Sequence, residues 1–171
     1  MVIRIEVENE NEIIKKYFRF FAKKLKMGTV NIMSPMRWLK MGIGKSYGTA
    51  VFCENIDPDF NINKVVYTPS ETLKVFDYIE ETGKNNQAFM IDEGEILAPA
   101  SLYHSFQNKA LFYIFSTHRY LKTHAFIVTP EFNWIDKRLR ILSTHVGLFE
   151  KDYDTSVGRA VVDVQLRQIH T

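Results

Sequence analysis

The chain has little of several things, and each shortage excludes a class of protein. Its one cysteine, Cys53, cannot close an internal disulfide, so the 171 residues are not a disulfide-stapled scaffold. The apolar neighbours of Cys53 mark it as a packing residue in preference to a reactive thiol, and a reducing, cytoplasmic setting is expected. No apolar run approaches the roughly 18 residues of a membrane span. Met1 to Val7 alternates charged with apolar residues instead of forming a signal peptide, so a soluble chain is expected. Net charge is nearly absent: +2 is too small to announce nucleic acid by itself. Internal repeats, low-complexity tracts and linkers are lacking too, so residues 1–171 are expected to form a single domain. With 46% hydrophobic and 25% charged residues the chain can bury a sizeable core, which excludes intrinsic disorder.

Hydrophobic spacing then orders the chain. Ile14, Phe18, Phe21 and Leu25 recur at helical period, which predicts an amphipathic helix from Glu10 to Lys26, stopped by Gly28. Its Lys15, Lys16, Arg19, Lys23, Lys24 and Lys26 form a basic face, read first as solvated and second as a contact for phosphate or anionic lipid. Thr29 to Met33 is predicted as a buried strand, Ser34 to Gly44 as a loop and Lys45 to Asn55 as a helix closed by Pro58. Lys64 to Tyr67 is a second strand. Thr68-Pro69-Ser70-Glu71 combines a capping box with proline at the first helical position, opening a helix to about Thr82. A third strand, Gln87 to Ile91, a helix from Ser105 to Ser116, and a fourth strand, Ala125 to Thr129, follow. Strands alternating with helices imply an α/β architecture, a mainly parallel sheet with helices on both faces. The tail breaks that rhythm. Leu139 to Glu150 and Arg159 to Arg167 are strand-like runs around a turn-rich Lys151 to Gly158, which predicts a C-terminal β-hairpin.

Two short segments carry chemistry. Gly42-Ile43-Gly44-Lys45-Ser46 puts a flexible turn, an ammonium and a hydroxyl at the start of a helix, where free backbone N–H groups receive a phosphate. A phosphate-binding loop uses glycines for close backbone approach, a lysine for the β- and γ-phosphates and a hydroxyl for Mg²⁺. Leu39 stands where the leading glycine of that pattern belongs, and Met36 to Met41 is bulky. Phe89-Met90-Ile91-Asp92-Glu93 ends an apolar strand in two carboxylates. Asp92 is placed to hold Mg²⁺ and Glu93 to orient or deprotonate an attacking water.

Lesser candidates surround these. Glu95 is expected to be a surface acid, with a polar contact near the metal as its alternative. Thr129, at the end of the fourth strand, is a candidate γ-phosphate sensor if that strand lies between the first and third. His118 and Arg119 are placed to face the nucleotide or a neighbouring subunit, and Arg119, Arg138 and Arg140 are candidates for an arginine finger donated in trans. His104, His118, His124 and His145 lack the spacing of a metal site. The aromatic residues of Tyr17 to Phe21 and Phe106 to Phe115 are read as core.

The sequence resembles the P-loop ATPases of the FtsK/HerA and zonula-occludens-toxin-like type, among them small archaeal viral and mobile-element proteins. The likeness lies in Gly44-Lys45-Ser46-Tyr47, Asp57-Pro58-Asp59-Phe60, Val65-Val66-Tyr67 leading to Pro69-Ser70-Glu71, and Met90-Ile91-Asp92-Glu93-Gly94. It continues through Phe115 to Arg119, Phe126-Ile127-Val128-Thr129-Pro130 and Ile135-Asp136-Lys137-Arg138, in the family's order. The resemblance implies a RecA-like core, ATP hydrolysis with Mg²⁺, a ring of subunits such as a hexamer, and a task in moving DNA. It assigns nucleotide binding to Gly42, Gly44, Lys45, Ser46 and Tyr47, metal to Ser46 and Asp92, and activation of water to Glu93. The alternative function is a nucleotide-binding interaction module that hydrolyses little.

Overall fold

The computed structural model describes residues 2–5, 16, 28–36, 44–154 and 159–168. Apart from Lys16, the expected helix from Glu10 to Lys26 lies outside the described residues, as does the segment Arg37 to Ile43, which includes Leu39 and Gly42. Seven strands form one sheet: β1 (Val2–Ile5), β2 (Thr29–Pro35), β3 (Val65–Val66), β4 (Ala88–Ile91), β5 (His124–Val128), β6 (His145–Asp154) and β7 (Arg159–Gln168), in the order β1-β7-β6-β2-β5-β4-β3. From β6 to β3 neighbouring strands run parallel, whereas β7 pairs antiparallel with β6 and β1 antiparallel with β7. Every residue of β2, β4 and β5 is buried, as expected of parallel strands covered on both faces.

Helices α1 (Lys45–Ile56), α2 (Pro69–Thr82), α3 (Gly94–Leu97), α4 (Phe106–Thr117) and α5 (Lys137–Leu142) connect the strands. On one face Phe52, Cys53 and Ile56 of α1 pack with Met33, Met90, Phe126 and Phe149. On the other, Val75, Phe76, Ile79, Leu111 and Phe115 pack with Ile32, Phe89 and Ile127. The start of α2 follows its sequence signal: Thr68 Oγ1 accepts from Glu71 N at 3.3 Å and the Glu71 carboxylate accepts from Thr68 N at 3.1 Å. No helix among the described residues is long and apolar enough to cross a membrane.

The tail needs one correction. Leu139 to Leu142 is not strand but part of α5, because the Asp136 carboxylate caps Arg138 N at 2.8 Å and Leu139 and Leu142 then face the core at helical spacing. The expected C-terminal hairpin is present, β6 paired antiparallel with β7. Its first strand, β6, lies beside β2 with Asn31 opposite His145, so the hairpin extends the central sheet, and the unanticipated β1 adds its last edge.

Buried polar groups link the N-terminal ends of β2, β5 and β6. Ala125 O can only accept, so Asn31 must turn its amide nitrogen toward it, at 3.0 Å, and the same nitrogen donates to Thr29 Oγ1 at 3.0 Å. Thr29 Oγ1 lies 2.9 Å from His124 Nδ1, and Asn31 Oδ1 lies 2.9 Å from His145 Nδ1. This arrangement suits a neutral His124 that accepts and a neutral His145 that donates.

Candidate functional site

The C-terminal tips of the parallel strands are where the chain can assemble a site, because β2, β4 and β5 each end there in a loop that leads to a helix or turn. Gly44 holds φ 80, a left-handed conformation that glycine adopts without cost, and turns the chain directly into α1. Lys45 and Ser46 thus occupy the first helical positions, Lys45 half-buried, Ser46 exposed, and Tyr47 beside them 73% exposed.

Ser46 meets the second acidic segment directly. Its Oγ donates to Asp92 Oδ1 at 3.0 Å, across 46 positions of sequence. Asp92 stands one residue beyond β4, tied to β3 by its N–H to Val66 O at 3.1 Å. A hydroxyl and a carboxylate are hard oxygen donors of the kind Mg²⁺ takes together with phosphate oxygens, so Ser46 and Asp92 fit that ion.

Glu93 follows, exposed, with φ 56 and ψ 51. A left-handed glutamate costs on the order of 1–3 kcal/mol and such outliers gather at functional sites. The next residue, Gly94, has no room for a side chain: a Cβ there would run into Ile127 Cγ2 and lie 3.1 Å from Ile135 Cδ1 and 3.2 Å from Val128 O. The backbone directly after the acid pair is therefore pressed against the tip of β5.

Thr129 is the first residue past β5, and β5 does lie between β2 and β4. It is fully buried, its N–H donates to Met33 O at 3.0 Å and its Oγ1 to Glu131 O at 3.0 Å. Glu95 departs from expectation. Instead of a surface acid it is half-buried, with Oε2 buried and without a hydrogen-bond partner; burial raises its pKa, and the charges of Glu93 and Asp92 add to the rise. Sequence spacing could not show this, since only the close approach of Gly94 to β5 turns Glu95 inward.

The arginines divide. Arg119 lies at the other end of the strands, where its carbonyl accepts from Gly28 N at 2.7 Å, just before β2 begins. At about 3.3 Å per residue, the five paired positions from Thr29 to Met33 separate it from Asp92 by roughly 15 Å, so Arg119 does not face the nucleotide loop of its own chain. Arg138 belongs to the tip side: it holds Asp136 at 2.8 Å and donates to Tyr103 O, in the loop that follows α3. Arg140 donates to Asn133 Oδ1 at 3.0 Å and lies over the Phe132 ring. A cavity of about 520 Å³ opens beside edge strand β3, lined by Ile62, Lys64 and Tyr78 among others, and includes neither Ser46 nor Asp92.

Strand order, parallel core and tip loops together define an α/β fold, a mainly parallel sheet flanked by helices and extended by a C-terminal antiparallel hairpin. Among solved structures the chain is similar to the N-terminal domain of zonular occludens toxin from Neisseria meningitidis, with a TM-score of 0.53 and 18% identity over 85% of this chain and 86% of that one. It is similar also to a chain of the HORMA:CdnC:Trip13 complex of E. coli MS115-1, with a TM-score of 0.52 and 11% identity over 85% of this chain and 67% of that one. B204, the DNA-packaging ATPase of Sulfolobus Turreted Icosahedral Virus, overlays at a TM-score of 0.39 with 12% identity over 94% and 92% of the two chains, a match too loose to support an inference. At such identities the likeness is one of fold. No protein-family model and no curated protein matches the sequence.

Proposed function

We propose that this chain is a Mg²⁺-dependent P-loop ATPase, working as one subunit of an oligomeric ring that moves DNA. The observation that carries the reading is the Ser46 Oγ to Asp92 Oδ1 hydrogen bond of 3.0 Å, which brings the two segments singled out for phosphate and metal to one strand tip. In this reading Gly42, Gly44 and Lys45 receive the phosphates, Tyr47 flanks them, Ser46 and Asp92 hold Mg²⁺, and Glu93 takes the proton of the attacking water. Thr129 senses the γ-phosphate. Bound Mg²⁺ supplies charge neutralisation on the phosphate oxygens. Arg138 is the favoured finger for a neighbouring subunit, since it lies on the tip side; Arg119 serves only if a neighbour presents its nucleotide to the opposite end of the sheet.

Mg²⁺-ATP at 100 times its dissociation constant is expected to stabilise the fold by about 2.7 kcal/mol, a rise of several degrees in Tm. Lys45→Ala should lose most of that rise. A wild-type Tm unmoved by saturating Mg²⁺-ATP, followed by scanning fluorimetry, would remove the nucleotide site.

The ring and DNA parts have their own test. Specific ATPase activity should climb with protein concentration, because one subunit cannot supply an arginine to its own γ-phosphate from a neighbour's side. Added DNA should raise the rate less as salt increases, since phosphate contacts release counterions. Concentration-independent activity that ignores DNA would leave an ATPase without the motor role, and binding without turnover would leave the interaction module.

A further inference from the structure

A second cavity, of about 440 Å³, opens between the loop that follows α3 and the start of α5, and includes neither Ser46 nor Asp92. Its charge is lopsided. His104, Lys137, Arg138 and Arg140 line it against the single carboxylate of Asp136. That carboxylate is buried and already engaged, by Arg138 at 2.8 Å and by the Asn108 amide nitrogen at 2.9 Å. Lys137 is exposed, and neither it nor Arg140 forms an ion pair among the described residues. Arg140 gives one nitrogen to Asn133 Oδ1, while its Nε has no hydrogen-bond partner. Glu131, the preceding acid of the chain, accepts from Asn133 N and Nδ2 at 3.4 and 3.2 Å. Aromatic rings stand beside these charges. Tyr103 packs against the His104 ring, centroids 3.8 Å apart, and is still 54% exposed. Arg138 donates to Tyr103 O, which fixes this loop to α5. The antiparallel bridge between Pro99 and Ile135 sets the half-exposed Trp134 beside Ala100.

We propose that this cavity binds single-stranded DNA, with Lys137 and Arg140 on backbone phosphates and the Tyr103 ring stacked on a base. The assignment rests on the DNA part of the function proposed above and names the surface that serves it. Uncompensated cations alone would suit any anion, and exposed rings alone would suit any apolar partner. Their combination on one rim matches a ligand that carries a phosphate and a π-face in every unit. A duplex keeps its bases stacked inside and offers Tyr103 nothing to stack on, so the ring selects the single strand. Arg138 stays with Asp136 and Tyr103 O and serves as the wall between the two contacts.

The test is fluorescence anisotropy of a dye-labelled oligo-dT of about 20 nucleotides, without ATP, from about 50 to 200 mM salt, with melting curves to confirm folding. Lys137→Gln should weaken binding about fivefold at the lowest salt and reduce the slope of log K against log[salt] by about 0.7, the share of one single-strand phosphate contact. Arg140→Gln should do the same. Tyr103→Ala should weaken binding about tenfold with the slope unchanged. Lys74→Gln, at an exposed lysine beside edge strand β3, should bind within twofold of wild type. Affinity for Mg²⁺-ATP should stay within twofold in Lys137→Gln and Tyr103→Ala. Wild-type DNA affinity in both of those variants, or an equal loss in Lys74→Gln, would overturn the site. So would a fall in ATP affinity with DNA binding intact, which would give the cavity to nucleotide phosphates. If Arg140→Gln fails to fold, the Lys137 and Tyr103 variants decide by the same criteria, since both side chains are exposed. Wild-type protein that binds no oligonucleotide at about 50 mM salt would overturn the site and the DNA role while leaving the ATPase reading; DNA binding through these residues in a protein that does not hydrolyse ATP would do the reverse.

Discussion

Glu93→Gln is expected to bind Mg²⁺-ATP as tightly as the wild type and to turn it over about 10²- to 10⁴-fold more slowly, the range a positioned general base contributes. The amide keeps the size of the side chain and its hydrogen-bonding shape but cannot take a proton. Nor should it disturb the backbone, because Glu93 already holds a left-handed conformation and glutamine adopts it no less readily. Asp92→Asn should fail differently. It removes the charge facing Ser46 Oγ while leaving an oxygen to accept that hydrogen bond, so more Mg²⁺ should be needed for half-maximal activity. Single-turnover hydrolysis and a fluorescent-nucleotide titration separate the two. A Glu93→Gln protein that hydrolyses at the wild-type rate would take the base assignment away from Glu93.

The pairing of these two segments is legible in the sequence, because each carries its signal locally. A lysine and a hydroxyl at a helix start and two acids after an apolar run are patterns of neighbouring residues. The same holds for the capping box at Thr68, for the fully apolar strand β4 and for the apolar run Ala125 to Val128 of β5. What escaped the sequence depends on contacts between distant segments. Leu139-Arg140-Ile141-Leu142 alternates like a strand, and only the carboxylate of Asp136 tips it into α5. Val2–Ile5 is too short to announce itself without β7 as a partner. Glu95 looks like any solvated acid until Gly94 is seen against Ile127. Arg119 follows α4 in sequence, yet the direction of β5 places it at the far end of the sheet. Positions in a chain do not say which end of a parallel strand they will meet.

Acid should unfold this protein sooner than its carboxylates alone require. Burial, aided by the positive charge of a protonated His145 and opposed by Asp57, depresses the pKa of His124 to about 3; burial depresses His145 to about 4. Both values are lower in the folded state than the ordinary 6.5, so below pH 6.5 the unfolded chain binds protons that the folded one refuses. The stability tied to the neutral imidazoles is therefore complete above pH 6.5 and lost as pH falls toward the folded values. By pH 5 the loss is about 2 kcal/mol for each histidine, about 4 kcal/mol for the pair, a large share of the 5–15 kcal/mol typical of a domain. Glu95 works the other way: with its folded pKa raised, protonation as pH falls favours the folded state and offsets part of the loss. The hydrogen bonds explain why the histidines resist charge. Protonating His124 puts a hydrogen on Nδ1, which faces a Thr29 hydroxyl that already accepts from Asn31, and Thr29 must surrender its own donation. Urea unfolding at pH 7 and pH 5 should show the difference in midpoint. His145→Gln, whose amide can still donate to Asn31 Oδ1, should cost some stability at pH 7 and yet lose roughly half of the pH dependence. An unfolding midpoint that stays level between pH 7 and pH 5 in the wild type would mean that these buried imidazoles are not held neutral by the fold.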